Sequence, residues 1–228
     1  MARSFVRSFA QHPHGIVPLH ALVWTSLLDS TFPDMYGVGG VANVMHFIPL
    51  LSNVFKWLNT ISADYNVLKA ALQNNTHVFL LPDGIAGIYY AQRGQHAVVL
   101  KNRRGLFRLA METEATILPV YCFGANDLFD QAATSDSVVG RVSRQLRVSL
   151  TLFWGQFFMP IPFGTNLTYV FCDPVSPPKL PQGGMDAPGF DARQAVEQFC
   201  QNHVKSLKEG FDRYKALAGY PDSELMIV

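Results

Sequence analysis

Two histidines stand two residues apart near the start of the chain, in the stretch AQHPHGIVP, as His12 and His14. An imidazole titrates near neutral pH and can take a proton from an alcohol. It is also a common metal ligand, and it can simply sit in a turn. Three roles therefore compete for HPHG: a metal site, a general base and a structural turn. Pro13 and Gly15 fit a tight turn that holds one imidazole toward a pocket at the mouth of a sheet. A metal site needs further ligands, and His20, His46, His77, His96 and His203 are scattered, with no HxHxDH or HExxH pattern.

Three other loops carry chemistry. In LLPDGIAGIYY a buried strand runs into Pro82-Asp83-Gly84. That places a carboxylate at a strand's C-terminal end, where open α/β sheets bind their ligands. Asp83 could orient a histidine or hold a hydroxyl, or the segment could be a plain Asp-Gly turn. In LKNRRGLFRLA, Lys101, Arg103, Arg104 and Arg108 precede or open a helix, with Gly105 among them. Cations at a helix start oppose its dipole, which points to a bound anion, and forked guanidinium groups suit phosphate. The alternative is a solvated basic face. In VYCFGANDLFDQ another strand runs into Gly124-Ala125-Asn126-Asp127. Asn126 and Asp127 could meet a substrate or cap the next helix. No GxSxG elbow, Walker loop or dinucleotide fingerprint occurs. No nucleophile has an obvious activator. The set fits direct transfer of a group to an alcohol better than covalent catalysis.

The elements that must position these loops alternate between helix and strand. Helices are expected at Val17–Leu28, Leu50–Leu58, Asp64–Leu72, Arg104–Thr113 and Asp191–Leu217, with Ser62 or Asp64 capping the third. Strands are expected at Gly37–Asn43, Asn59–Ser62, His77–Leu81, Ala97–Leu100, Thr116–Tyr121 and Leu167–Phe171. This order predicts a single α/β domain over residues 1–228, with a mostly parallel central sheet flanked by helices. The Pro- and Gly-rich loop 172–189 reads as an insertion before the last helix.

Composition sets the surroundings. Hydrophobic residues are 49% of the 228, and charged residues only 15%, against a usual charged share of roughly 25%. A chain so poor in charge hides a large core or rests an apolar surface on a membrane. The net charge of +1 gives no reason to expect nucleic acid. Cys122, Cys172 and Cys200 are too far apart for a zinc or disulfide framework and read as reduced core residues, which suggests a cytosol-facing protein. No signal peptide is visible, and no run of 18 apolar residues predicts a spanning helix. The closest approach, Val148 to Phe163, is broken by Gly155, Pro160 and Pro162. It is expected in a membrane interface, along an apolar pocket or in the core.

The order and spacing of the four loops resemble the type 2 diacylglycerol O-acyltransferase family, which includes monoacylglycerol and wax-ester acyltransferases. HPHG, PDGIAG and LKNRRGLFRLAMETEATILPVYCFGANDLFDQ carry the resemblance, with YVFCDPVSPPKL and FDRYKALAGYPDSELMIV at the tail. It covers residues 12 to 228. It implies a glycerolipid-acyltransferase-like fold, acyl-CoA as co-substrate with no cofactor, and a lipid alcohol as acceptor, foremost diacylglycerol giving triacylglycerol. It also implies a membrane surface as partner, at the cytosolic face of the endoplasmic reticulum or on a lipid droplet. His14 or His12 would deprotonate the acceptor hydroxyl, which attacks the thioester directly. Asp83 would stand in for the family glutamate that Gly87 replaces. Gly15, Gly84, Arg103, Arg104, Gly105, Gly124 and Asn126 would contact substrate, the two arginines through CoA phosphates.

This chain departs from the pattern at three further places. The family's Phe-Gly-Glu-Asn is Phe123-Gly124-Ala125-Asn126 here, and an arginine near the Asp64 helix is missing. Only eleven residues precede His12, so the family's membrane hairpin is expected to be absent and the HPHG turn to be poorly supported. These losses motivate a second reading, a relative that binds acyl-CoA or lipid without turnover. A third is a metal-dependent hydrolase using the His12/His14 pair.

Overall fold

A computed structural model describes residues 6–24, 37–49, 51–132, 138 and 151–228. Its centre is a six-stranded sheet. In chain order the strands are β1 (Val6–His12), β2 (Gly37–Val41), β3 (Thr60–Ser62), β4 (His77–Leu80), β6 (Thr116–Phe123) and β9 (Thr168–Phe171), arranged β3-β2-β4-β1-β6-β9. All neighbouring pairs are parallel except β6 with β9. Parallel strands are covered on both faces and so read as unbroken apolar runs. TILPVYCF of β6 is the clearest case, buried at every residue. Its Pro119 does not break the sheet. The ladder to β9 begins only at Val120, so the missing N–H falls where pairing is irregular, and the Pro119 carbonyl still accepts from the Cys172 N–H.

Two short sheets lie outside the centre. β5 (His96–Val98) pairs in parallel with the C-terminal β10 (Leu225–Ile227), and β7 (Asp130–Gln131) pairs antiparallel with β8 (Phe153–Trp154).

The helices follow the expected positions closely. They span Leu51–Trp57, Tyr65–Gln73, Arg104–Glu112 and Ala192–Tyr214, and residues 19–24 are helical. The rest of the helix expected to Leu28 lies outside the described residues, as do residues 148–150 of the aromatic stretch. Asp191 caps the last helix by accepting from the Gln194 N–H at 3.0 Å. That helix buries Val196, Phe199, Cys200, His203, Leu207 and Phe211, a stripe at three- and four-residue spacing. Phe199 meets Phe107 edge-on at 5.5 Å, which joins it to the Arg104–Glu112 helix over the sheet.

Three expectations need correction. HPHG is well supported. Residues 6–12 form β1, which pairs with β4 on one side and β6 on the other. The lead-in lacks a clean period because it is central and buried on both faces. Next, Pro82-Asp83-Gly84 does not end in a loop but opens a helix, Gly84–Tyr90, whose two glycines hide it from helix propensity. Finally, neither Ser62 nor Asp64 caps the Tyr65–Gln73 helix through its side chain. The Ser62 hydroxyl donates to the Asp64 carboxylate at 2.7 Å instead.

All three cysteines are buried and free, and burial pushes the thiols of Cys122 and Cys172 up to about 12. Among the described residues no helix is long and apolar enough to cross a membrane.

Candidate active site

β1, β4 and β6 lie side by side and point the same way, so their C-terminal ends deliver HPHG, Asp83 and Gly124-Ala125-Asn126 to one edge of the sheet. At the junction is a fully buried pair. The His12 Nδ1–H donates to Asp83 Oδ2 at 2.7 Å, and both side chains are inaccessible to solvent. Asp83 occupies the cap position of the Gly84–Tyr90 helix but makes no side-chain cap bond. Its other oxygen, Oδ1, accepts the Val99 N–H at 2.6 Å. Charge-assisted bonds of this kind are strong and directional, and they make a buried carboxylate tolerable.

The third loop closes on the second. The Arg103 guanidinium donates through Nη2 to the Asp83 carbonyl at 2.8 Å. Gly84 has φ +56°, and a Cβ there would come within 3.2 Å of the same Nη2. Gly87 lies at a close approach between helix and site. A Cβ at that position would lie 2.5 Å from the Cβ of Asp83 and 2.9 Å from the Cβ of His14. The helix can pass this close to both residues only if position 87 has no side chain.

His14 differs from His12 in exposure and in partners. Its ring is partly buried, and its Nδ1–H donates to the Gly15 carbonyl at 2.9 Å. That bond fixes the tautomer and leaves Nε2 as the acceptor. Burial lowers its pKa. The Gly15 carbonyl and the charge of Asp83 oppose that shift, and Arg103 adds to it. Asp83 therefore orients His12 by direct contact and acts on His14 through its field.

The remaining expected residues separate into two groups. Gly15, at φ +70°, packs against the Ala125 carbonyl, which joins HPHG to the fourth loop. Gly124 has φ +83°, and a Cβ there would sit 2.2 Å from the Asn166 carbonyl oxygen. Gly124→Ala is expected to destabilise the fold by about 1–3 kcal/mol from strain and overlap, read as a lowered denaturant midpoint. The Asn126 side-chain amide donates to the Gln95 carbonyl at 2.8 Å, so it braces a neighbouring turn. Arg104 turns away from the histidines. It pairs with Glu197 at 2.7 Å and donates to the Leu100 carbonyl, beside a groove of about 630 Å³ that Lys101, Lys205 and Lys208 also line. Gly105 is exposed on the same helix.

Two groups in contact with the buried pair could not be placed there from the sequence. The Val99 N–H is invisible to any side-chain motif. His203 is 191 residues from His12, yet its Nε2 lies 3.3 Å from the His12 Nε2. The available signal was an imidazole on the apolar stripe of the last helix. Among the described residues no group of three or more His, Cys, Asp or Glu side chains could hold a metal ion.

His20 adds a pH liability. It is fully buried beside Gly15, where burial outweighs the opposing pull of the Pro13 carbonyl and the Asp83 charge. Burial first, then His14, pushes its pKa down to about 3. Below pH 6.5 the unfolded chain takes up a proton that the folded chain refuses until about pH 3. Stability is full above pH 6.5 and falls through that window as pH drops, by an amount on the order of several kcal/mol. Urea melts at pH 7, 5.5 and 4.5 are expected to show the loss, and a His20→Phe variant is expected to flatten it.

The fold and site define a class: a parallel α/β domain with a buried histidine–carboxylate pair and a second, accessible imidazole at the carboxyl ends of its central strands. The family profile for diacylglycerol acyltransferase matches residues 3–228, and the chain belongs to that family. Similar curated proteins include diacylglycerol O-acyltransferase 2 of Danio rerio, 26% identical over 96% of this chain and 64% of that protein. The Xenopus tropicalis protein of the same name is 28% identical over 96% and 63%, and the human one 22% over 96% and 59%. The chain thus spans less than two thirds of the length of these relatives. No solved structure matches.

Proposed function

We propose that this chain esterifies a lipid alcohol with an acyl group from acyl-CoA, diacylglycerol giving triacylglycerol, and that His14 is the general base. One observation carries the choice of histidine. His14 has its Nδ1–H tied to the Gly15 carbonyl and an Nε2 with no partner among the described residues, whereas both ring nitrogens of His12 are engaged inside the core. The His14 Nε2 takes the proton as the acceptor oxygen attacks the thioester carbonyl. The tetrahedral intermediate collapses with cleavage of the C–S bond, and the departing thiolate recovers the proton from His14. An ester and free CoA result, and the enzyme needs no cofactor. Asp83 stabilises the transient imidazolium through its charge, and the depressed pKa keeps His14 unprotonated at neutral pH.

Membrane contact fits the same reading. Leu152, Phe157 and Phe158 are exposed at 72%, 83% and 87%. Their loop leads back to Leu128 near the site edge, where the Phe163 N–H donates to the Leu128 carbonyl. No charged residue occurs from 148 to 172. Large exposed apolar side chains without charge suit a lipid interface. The lipid acceptor would arrive from that surface, on the cytosolic face of the endoplasmic reticulum or from a lipid droplet.

The test is ester formation from labelled acyl-CoA by the purified chain in vesicles holding diacylglycerol, monoacylglycerol or fatty alcohol. Triacylglycerol formation is expected to dominate. Tight acyl-CoA binding with no ester from any acceptor would favour the alternative of a relative that binds without turnover.

A further inference from the structure

His203 belongs to none of the four loops. It is fully buried on the Ala192–Tyr214 helix, on a mostly apolar stripe that includes Phe199, Cys200, Leu207 and Phe211 and also buries Ser206. Phe107 packs against its ring at 5.3 Å, and its Nδ1 has no hydrogen-bond partner among the described residues. Leucine or phenylalanine would fill this position without burying a polar ring, and burying one costs free energy unless its polar atoms are used. The one ring atom in use is Nε2, 3.3 Å from the His12 Nε2.

We propose that His203 is a positioning residue, the third member of a buried Asp83–His12–His203 chain that fixes the His12 ring and so the turn carrying His14. The proposal rests on the reading of His14 as the base. Two nitrogens facing at this distance share a single hydrogen, since two lone pairs or two N–H groups would repel. The His12 Nδ1–H is committed to Asp83, so in a neutral His12 the Nε2 is an acceptor and His203 supplies the hydrogen. The His203 Nδ1 is then the bare nitrogen, which matches the atom left without a partner. Burial holds His203 neutral. His12 is gripped at both ring nitrogens, by the start of one helix and the middle of another. Pro13 alone separates it from His14, so loss of one grip displaces the base, and a displacement of about 1 Å can cost about 10²-fold in rate.

The test has two arms, both on the full chain. In the wild type with 15N-labelled histidine, a through-hydrogen-bond coupling between the two Nε2 atoms is expected. Its absence would overturn the contact. In the acyl-transfer assay, His203→Gln keeps a donor toward His12 and is expected to retain a rate close to wild type. His203→Leu fills the space without a donor and is expected to lose about 10- to 100-fold in kcat with KM unchanged. Leucine matching or exceeding glutamine would mean a packing role and overturn the proposal. If the wild type transfers no acyl group, the function reading fails by itself, and the coupling still decides the role of His203.

Discussion

His12→Ala is expected to cost about 3–5 kcal/mol of folding free energy, the range for leaving a buried charge short of its partner. The reason is what stays behind. Asp83 has no exposed surface and, among the described residues, keeps only the Val99 N–H on its side chain, while the His203 Nε2 loses its contact with His12. The loss falls on the strands as well as the site. β1 lies between β4 and β6, and the pair ties its end to the residue that opens the Gly84–Tyr90 helix. Chemical denaturation read by circular dichroism checks the size of the effect. Asp83→Ala, which strands the His12 Nδ1–H and the Val99 N–H together, is expected to fall in the same range. A His12→Ala loss below 1 kcal/mol would mean that the pair is not a structural anchor.

His14→Ala is expected to do the opposite. Its one side-chain hydrogen bond among the described residues runs to the neighbouring Gly15 carbonyl, so stability changes by only about 1 kcal/mol. The rate of acyl transfer falls by about 10²–10⁴-fold, the usual contribution of a general base. The pH profile follows from the same ring. Burial places the His14 pKa below 6.5, and on the proposed mechanism the neutral form is the active one. The wild-type kcat is therefore flat across neutrality and falls on an acid limb that lies below pH 6.5. In His14→Ala that limb disappears from the residual rate. An acid limb above pH 6.5, or one that survives the substitution, would assign the proton transfer to another group.

Most of the architecture was legible because parallel α/β folds write themselves in apolar runs and capped amphipathic helices. HVFL of β4 and TILPVYCF of β6 announce buried strands, and the Ala192–Tyr214 helix announces itself through Asp191 and its stripe. β1 did not, since VRSFAQH mixes polar and apolar residues although Ser8 and Gln11 are buried. The Gly84–Tyr90 helix was hidden by Gly84 and Gly87, whose purpose is close approach to Arg103, Asp83 and His14. At the site, the sequence could nominate His12, His14 and Asp83 but could not divide their labour. That division depends on which ring nitrogen meets which atom. Asp83 meets His12 rather than His14, and the last helix supplies a third imidazole from 191 residues away. The two arginines show the same limit. Arg103 and Arg104 are adjacent in sequence, yet one braces the Asp83 carbonyl and the other pairs with Glu197.

The central claim is that two histidines flanking one proline have separate jobs, His12 holding the fold and His14 moving the proton. One paired comparison tests it: folding free energy and triacylglycerol formation, measured side by side in His12→Ala and His14→Ala against wild type. A crossover is expected, with the stability loss confined to His12→Ala and a folded, near-inactive His14→Ala. A His14→Ala enzyme that keeps wild-type ester formation would contradict it.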